Sequence, residues 1–276
     1  MPETLPFPMD TETLKLRSVL VERYVTPLRE GGSMPAIVEA DDLGTYVLKF
    51  RGAGQGVRAL MAEIISGGMA RALGLPVPEI VLTQLNGDLS RTESDPEIQD
   101  LIRASDGLNV GLDYLPGAIN FDPAVDVVDS DFASRLVWFD TLVSNVDRTA
   151  RNTNMLMCKK QPWLIDHGAS LTFHHAWNGT VADPAKPFGP SSEHVLLPLA
   201  SHIAEVDAEL AARLTPEVLT AILAEVPDCF LEQAVADKDG DVLSGVQAHR
   251  AAYVNYFVAR LAERGRWLQG VIDARA

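Results

Sequence analysis

The sequence is short of cysteine, of aromatic residues and of positive charge, and two of these shortages exclude whole classes of function. Two cysteines, Cys158 and Cys229, in 276 residues offer neither a disulfide framework nor a zinc-ligand pattern. Lys and Arg number 23 against 38 Asp and Glu, a formal net charge of −15. A surface that displaces counterions from nucleic acid needs clustered Lys and Arg, so no direct nucleic-acid partner is expected. The same balance argues against anionic membrane surfaces. No run approaches the ~18 apolar residues of a spanning helix. Residues 1–10 are Pro-rich and acidic, and Leu14 to Val25 is broken by charges, so no signal-type apolar segment is expected there. Repeats and low-complexity tracts are lacking too. What is present is a 47% hydrophobic composition, enough for a sizeable core. A reduced, cytoplasmic protein without a membrane segment is the expectation. Its length suits one large domain or two lobes around a cleft.

The densest chemistry lies between Asn145 and Gly168, NVDRTARNTNMLMCKKQPWLIDHG. Two short apolar runs, Met155-Leu156-Met157 and Trp163-Leu164-Ile165, flank Lys159-Lys160-Gln161-Pro162. This pattern predicts two strands around a turn. An antiparallel pairing centred near Lys159 puts Asn152 opposite Asp166, with Asp147 in the loop before them. The open end of the hairpin would then gather hard oxygen ligands of the kind that hold magnesium on a nucleotide, where phosphates and waters complete the shell. An ordinary hairpin whose Asp and Asn serve its turns is the bland alternative.

Upstream, Arg29 to Pro35 reads as a loop. Gly31-Gly32-Ser33 supplies free backbone N–H groups without bulk, as a phosphate-covering loop does, or simply as a surface turn does. Ala36 to Ala40 and Thr45 to Phe50 read as strands joined at Asp41 to Gly44. Lys49 faces opposite to Leu48 and Phe50, toward solvent or a cleft. Val57, Leu60, Met61, Ile64, Ile65, Gly68, Met69, Ala72 and Leu73 recur at helical spacing, ending at Gly74 with Pro76 and Pro78 beyond. Glu63 lies at the edge of that apolar stripe. Gly52-Ala53-Gly54-Gln55-Gly56 looks like a dinucleotide-binding fingerprint, but its third position falls on Val57 and a hairpin precedes it. Strands at 79–84 and 108–115, a helix at 96–104 and a helix at 132–144 follow, the last capped by Ser130 or Asp131. Residues 178–192 read as a loop, and 196–224 and 245–271 as amphipathic helices. His174 and His175 have no acidic partner at a ligand spacing.

Asp147, Asn152 five residues on, and Asp166-His167-Gly168 after a hairpin resemble the catalytic arrangement of protein kinases. More closely, the chain resembles the HipA-type kinases, whose Asp-x-His-x-x-Asn appears here with Thr149 in place of the His. Lys49, Glu63 and Gly74-Leu75-Pro76-Val77-Pro78 are similar, in the same order, to the amino-terminal part of that family. The resemblance covers about residues 30–170. It implies an α+β, two-lobed protein-kinase-like fold. A small antiparallel-sheet lobe (13–115, after a leader at 1–12) would precede a larger helical lobe (116–276).

By the same resemblance the activity is ATP- and Mg2+-dependent transfer of the γ-phosphate to a Ser/Thr hydroxyl of a protein acceptor. Lys49, held by Glu63, would meet the α/β-phosphates. Gly32 and Ser33 would cover them, with Ser33 a site of phosphorylation in cis. Asp113, Tyr114 and Leu115 would offer backbone groups to adenine. Asn152 and Asp166 would hold the metal and Asp147 would take the acceptor proton, with Arg148 and Arg151 as γ-phosphate contacts. Two other readings stay open: a nucleotide-binding pseudokinase or regulatory module, suggested by Thr149, and a lipid or small-molecule kinase of the same fold. A Ser-His-Asp hydrolase is disfavoured, because no G-x-S-x-G elbow is present.

Overall fold

The computed structural model describes residues 11–28, 34–54, 56–175, 183–236 and 245–275. It is a mixed α/β fold with a strand-rich region followed by a mainly helical one. Five strands close into a barrel in the order β1-β2-β3-β5-β4: β1 (Arg17–Pro27), β2 (Ala36–Ala40), β3 (Thr45–Lys49), β4 (Ile80–Leu85) and β5 (Gly107–Asp113). The expected sheet was mainly antiparallel, and the structure adds one parallel pairing. The first half of β1, Arg17 to Leu20, runs parallel to β4, while the second half, from Val21, pairs antiparallel with β2. One long strand can serve two neighbours because it bends: irregularities fall at 21–23 and 24–26. There the inward alternation slips, from Val19 and Val21 to Tyr24, as an extra residue in a strand requires.

The barrel interior is filled by Val38, Tyr46, Leu48, Phe50, Val81 and their neighbours. Lys49 therefore points out of the barrel, toward helix α1 (Val57–Ala72). This helix is packed closely on both sides. A Cβ on Gly67 would lie 2.3 Å from Ile80 Cδ1, and one on Gly68 would lie 2.9 Å from Ile222 Cγ2. Gly74, at φ 80°, ends the helix as Leu75 N–H bonds back to Ala70 O at 2.9 Å, a glycine stop of the Schellman kind. β3 pairs antiparallel on both sides, with β2 and with β5, so the glycines after it do not open a parallel βαβ unit. The dinucleotide-binding alternative is excluded.

α2 (Pro96–Ala104) lies between β4 and β5 and packs Ile98, Leu101 and Ile102 into the barrel core, whereas the helical part contains α3 (Ser130–Val143), α4 (Ile203–Arg213), α5 (Pro216–Ala224), α6 (Asp228–Ala236), α7 (Val246–Ala262) and α8 (Arg264–Arg275). The cap of α3 is Asp129, not Ser130 or Asp131: its carboxylate accepts from Phe132 N–H at 2.7 Å. The single helix expected over 196–224 is interrupted, since Thr215 caps a new helix with Pro216 in its first turn. Trp138 on α3 meets Trp267 on α8 edge to face, and α1 shares one continuous core with α3, α5 and α7. A small sheet of β6 (Ile119–Asn120), β7 (Met155–Cys158) and β8 (Gln161–Leu164) lies beside them.

The β7–β8 turn is tighter than the sequence suggested. Only Lys159 and Lys160 form it, at φ 51° and 65°, the two left-handed positions of a two-residue hairpin. Gln161 and Pro162 already belong to β8, opposite Cys158 and Met157. The register is shifted by one residue from that centred on Lys159. Asn152 and Asp166 still lie at the same open end of the hairpin, where Ile165 N–H bonds to Asn154 O at 3.1 Å.

Candidate active site

Lys49 Nζ donates to Glu63 Oε2 at 2.8 Å and to Asp166 Oδ1 at 2.6 Å. Strand, helix and hairpin thus converge on one ammonium group. Glu63 was expected at the edge of the apolar stripe of α1, but it is fully buried. Its carboxylate also accepts His167 N–H at 3.0 Å, and His167 Nδ1 lies 3.3 Å from Oε1. His167 Nε2 is buried without a partner among the described residues, and its ring lies edge-on to Phe139. The segment after Asp166 is fixed on α1 by Ser170 Oγ, 2.7 Å from Ser66 Oγ. Burial alone would lower the Lys49 ammonium, but the carboxylates of Glu63 and Asp166 outweigh it and raise it to about 12. Burial would raise Glu63, but Lys49 and His167 prevail and hold it at about 2. The two are therefore a charged pair. The Lys49 side chain is 12% exposed and that of Asp166 43%, so the open side of the cluster is the Asp166 side.

Asp147 lies on the loop between α3 and β7. Its Oδ2 accepts from Asn152 Nδ2 at 2.8 Å and from Asn154 Nδ2 at 3.1 Å, and its N–H donates to Asn145 Oδ1 at 3.1 Å. Oδ1 has no protein partner among the described residues. Thr149 shapes the same turn: its N–H donates to Asn152 O at 2.9 Å, and its hydroxyl accepts Asn152 N–H at 3.3 Å. Asn152 thus orients its amide nitrogen toward Asp147, and among the described residues neither Asn152 Oδ1 nor Asp166 Oδ2 has a protein partner. Two hard oxygens at the open end of the hairpin fit a hard divalent cation that keeps most of its shell for phosphate and water. No group of three or more His, Cys, Asp or Glu that could hold a metal occurs among the described residues.

Gly32 and Ser33 lie outside the described residues. Asp113 N–H donates to Glu79 O at 2.8 Å and Tyr114 N–H to Thr45 O at 2.9 Å. Both amides are spent on extending the barrel, whereas the Leu115 N–H has no backbone partner among the described residues. Arg148 is not an exposed loop arginine. It is buried, with Nε 2.6 Å from Asp140 Oδ2 and Nη1 on the carbonyl of Asn154. Arg151 is exposed. His174 is buried, 3.1 Å from both Tyr253 Oη and His175 Nε2.

The sequence reading passed over Asp140, His194, Asn145 and Asn154. Asp140 had one visible signal, a lone acid inside the apolar run Leu136-Val137-Trp138-Phe139-Asp140-Thr141-Leu142-Val143. His194 had none, because it reaches Asp140 across 54 residues.

No curated protein matches the chain. Among solved structures it is similar to the Golgi casein kinase with Mn/ADP bound, at 11% identity and a TM-score of 0.43, covering 92% of this chain and 74% of that one. It is also similar to the Helicobacter pylori proinflammatory kinase CtkA, at 11% identity and a TM-score of 0.42, covering 94% and 97%. No helix among the described residues is long and apolar enough to cross a membrane. The model of the HipA-like kinases matches residues 21–239, a span that holds Lys49, Glu63, Asp147, Asn152 and Asp166 together, and the chain belongs to that family.

Proposed function

We propose that the protein is an ATP- and Mg2+-dependent kinase that transfers the γ-phosphate of ATP to a Ser/Thr hydroxyl of a protein acceptor. The observation that carries the proposal is the buried Lys49–Glu63 pair with Asp166 on its open side. A charged lysine held between two carboxylates is preorganised for polyphosphate, with little side-chain ordering left to do on binding. In this reading the barrel region and the helical region act as the two lobes, meeting where Lys49, from the first, contacts Asp166, from the second.

Each residue has a task set by its surroundings. Lys49 keeps its charge through Glu63 and meets the α/β-phosphates. Asn152 Oδ1 and Asp166 Oδ2 would hold magnesium, which neutralises phosphate charge when bound. Asp147 Oδ2 is fixed by two amides, so Oδ1 is the atom that accepts the acceptor hydroxyl and then its proton. The Leu115 N–H and nearby carbonyls would meet adenine. The protein supplies positioning and charge complementarity, the main contributions to phosphoryl transfer.

The test is thermal unfolding of wild type and Asp166→Asn with and without magnesium and ATP, followed by transfer from labelled ATP to added protein and lipid fractions. A ligand specific for the folded state stabilises by about 2.7 kcal/mol at a hundredfold over Kd. The expected result is a magnesium-dependent rise in wild type that Asp166→Asn lacks, with label on protein Ser or Thr. Label on lipid or a small molecule would reassign the acceptor. A rise without transfer would favour a nucleotide-binding regulatory module. No rise would remove the proposal.

A further inference from the structure

Asp140, on the last turns of α3, is 1% exposed, and two of the three side chains that bond its carboxylate, Asn145 and Arg148, belong to the Asp147 loop. Its Oδ1 accepts Asn145 Nδ2 at 2.9 Å, and Asn145 in turn accepts the Asp147 N–H. Its Oδ2 accepts Arg148 Nε at 2.6 Å, and Arg148 reaches on to the Asn154 carbonyl. The third donor comes from elsewhere in the chain. His194 Nε2 lies 2.9 Å from Asp140 Oδ2. His194 Nδ1 accepts the N–H of Leu196 at 3.1 Å, so the proton of the ring sits on Nε2 and points at the carboxylate. The His194 segment is also stitched to the loop by backbone: Thr149 and His194 form a bridge, and Val195 N–H donates to Arg148 O at 3.1 Å.

We infer that His194 is a positioning residue for phosphoryl transfer: its Nε2–H fixes Asp140, and Asp140 fixes Asp147 through Asn145 and Arg148. The residue touches neither nucleotide nor acceptor. It makes the geometry of Asp147 depend on the stretch around 194 being docked, so a change in that stretch reaches the reacting end without passing through Lys49, Glu63 or Asp166. His194 is the informative place to test this. Asp140 keeps Arg148 and Asn145 when His194 is changed, so the core charge stays compensated.

The rate arm of the test rests on the kinase reading, and the second arm does not. Three variants separate the contacts. His194→Gln carries an amide N–H near the position of Nε2 and can still donate to Asp140. His194→Asn keeps a short amide near the Leu196 N–H and cannot reach Asp140, and His194→Ala loses both. Amide hydrogen exchange across 145–154 is expected to quicken about tenfold or more in the Asn and Ala variants, as loss of a hydrogen bond to a buried charge implies. Exchange on α1 should be unchanged, and Gln should restore wild-type exchange in the loop. In transfer assays kcat is expected to fall about 10- to 100-fold in Asn and Ala, with KM for ATP within about twofold, as misplacement without loss of binding predicts. Unchanged loop exchange in the Asn variant would overturn the inference. So would a loosened loop with wild-type kcat, or a Gln variant as impaired as Ala. If wild type itself transfers nothing, the kinase reading fails, and the exchange arm still decides whether His194 holds the loop.

Discussion

Glu63 and Asp140 are two buried carboxylates put to different uses. Both are essentially inaccessible, at 0% and 1% exposure. Both are held at about 2 against burial, by Lys49 and His167 in one case and by Arg148, His194 and Asn145 in the other. The difference lies in what stands on the far side of the cation. Lys49 turns from Glu63 to a half-exposed Asp166, so its charge reaches an open face. Arg148 turns from Asp140 to backbone carbonyls of its own loop, and one of its guanidinium nitrogens is buried with no partner among the described residues. The same device, a carboxylate sealed under a cation, readies a charge for a ligand at one site and holds a loop in shape at the other.

The strongest effect on rate is expected at neither hub but at the proposed catalytic carboxylate, Asp147. Asp147→Asn should lower phosphoryl transfer by about 10²- to 10⁴-fold while leaving the magnesium-ATP shift in unfolding temperature near wild type. Full activity in this variant would remove Asp147 from the mechanism. Next in size, Asp140→Ala should cost about 3–5 kcal/mol in urea unfolding, because it strands the buried Arg148 charge. Its rise in unfolding temperature with magnesium and ATP should survive at permissive temperature. A loss near 1 kcal/mol would mean that Arg148 finds water or another acceptor, and the parallel between the hubs would break.

The smallest effect is on pH dependence. Both carboxyls have lowered folded values, so their contribution to stability is complete above the ordinary 4.5 and 3.8. It is lost as pH falls from there through about 2. One such carboxyl accounts for about 2–3 kcal/mol. Urea midpoints of wild type and Asp140→Asn, measured from about pH 5 down to pH 2, should converge as the pH falls. Parallel curves would show that Asp140 is not ionised in the folded protein.

The residues that were legible in the sequence are those whose signal is local. The apolar spacing from Val57 to Leu73, the stop at Gly74 and the alternation around Lys49 located α1 and β3 to within a residue or two. The Lys49–Glu63 contact was implied by the family resemblance and not by that placement, from which Glu63 reads as a stripe-edge residue although it is buried. The hairpin was legible too, but its register was off by one. Two lysines in left-handed conformation are an unusual hairpin turn, and Pro162 reads as a turn residue where it is tolerated in the edge strand β8. The parallel β1–β4 pairing was not legible, because strand direction leaves no periodic mark. Asp113 and Tyr114 looked available to a ligand, and only the barrel shows their amides already bonded.

By itself the sequence determined the order and type of most elements, the acidic and cysteine-poor character, and the Lys, Asp and Asn positions that mark the family. Those properties depend on neighbours within a few residues, where periodicity and turn chemistry act. The tertiary structure decided which charges are sealed and which are open. Glu63 meets His167 across 104 residues and Asp140 meets His194 across 54, distances over which a chain carries no local pattern. Whether a carboxylate there is a surface charge or the hub of a buried network depends on burial and on donors brought from elsewhere, and folding alone supplies both.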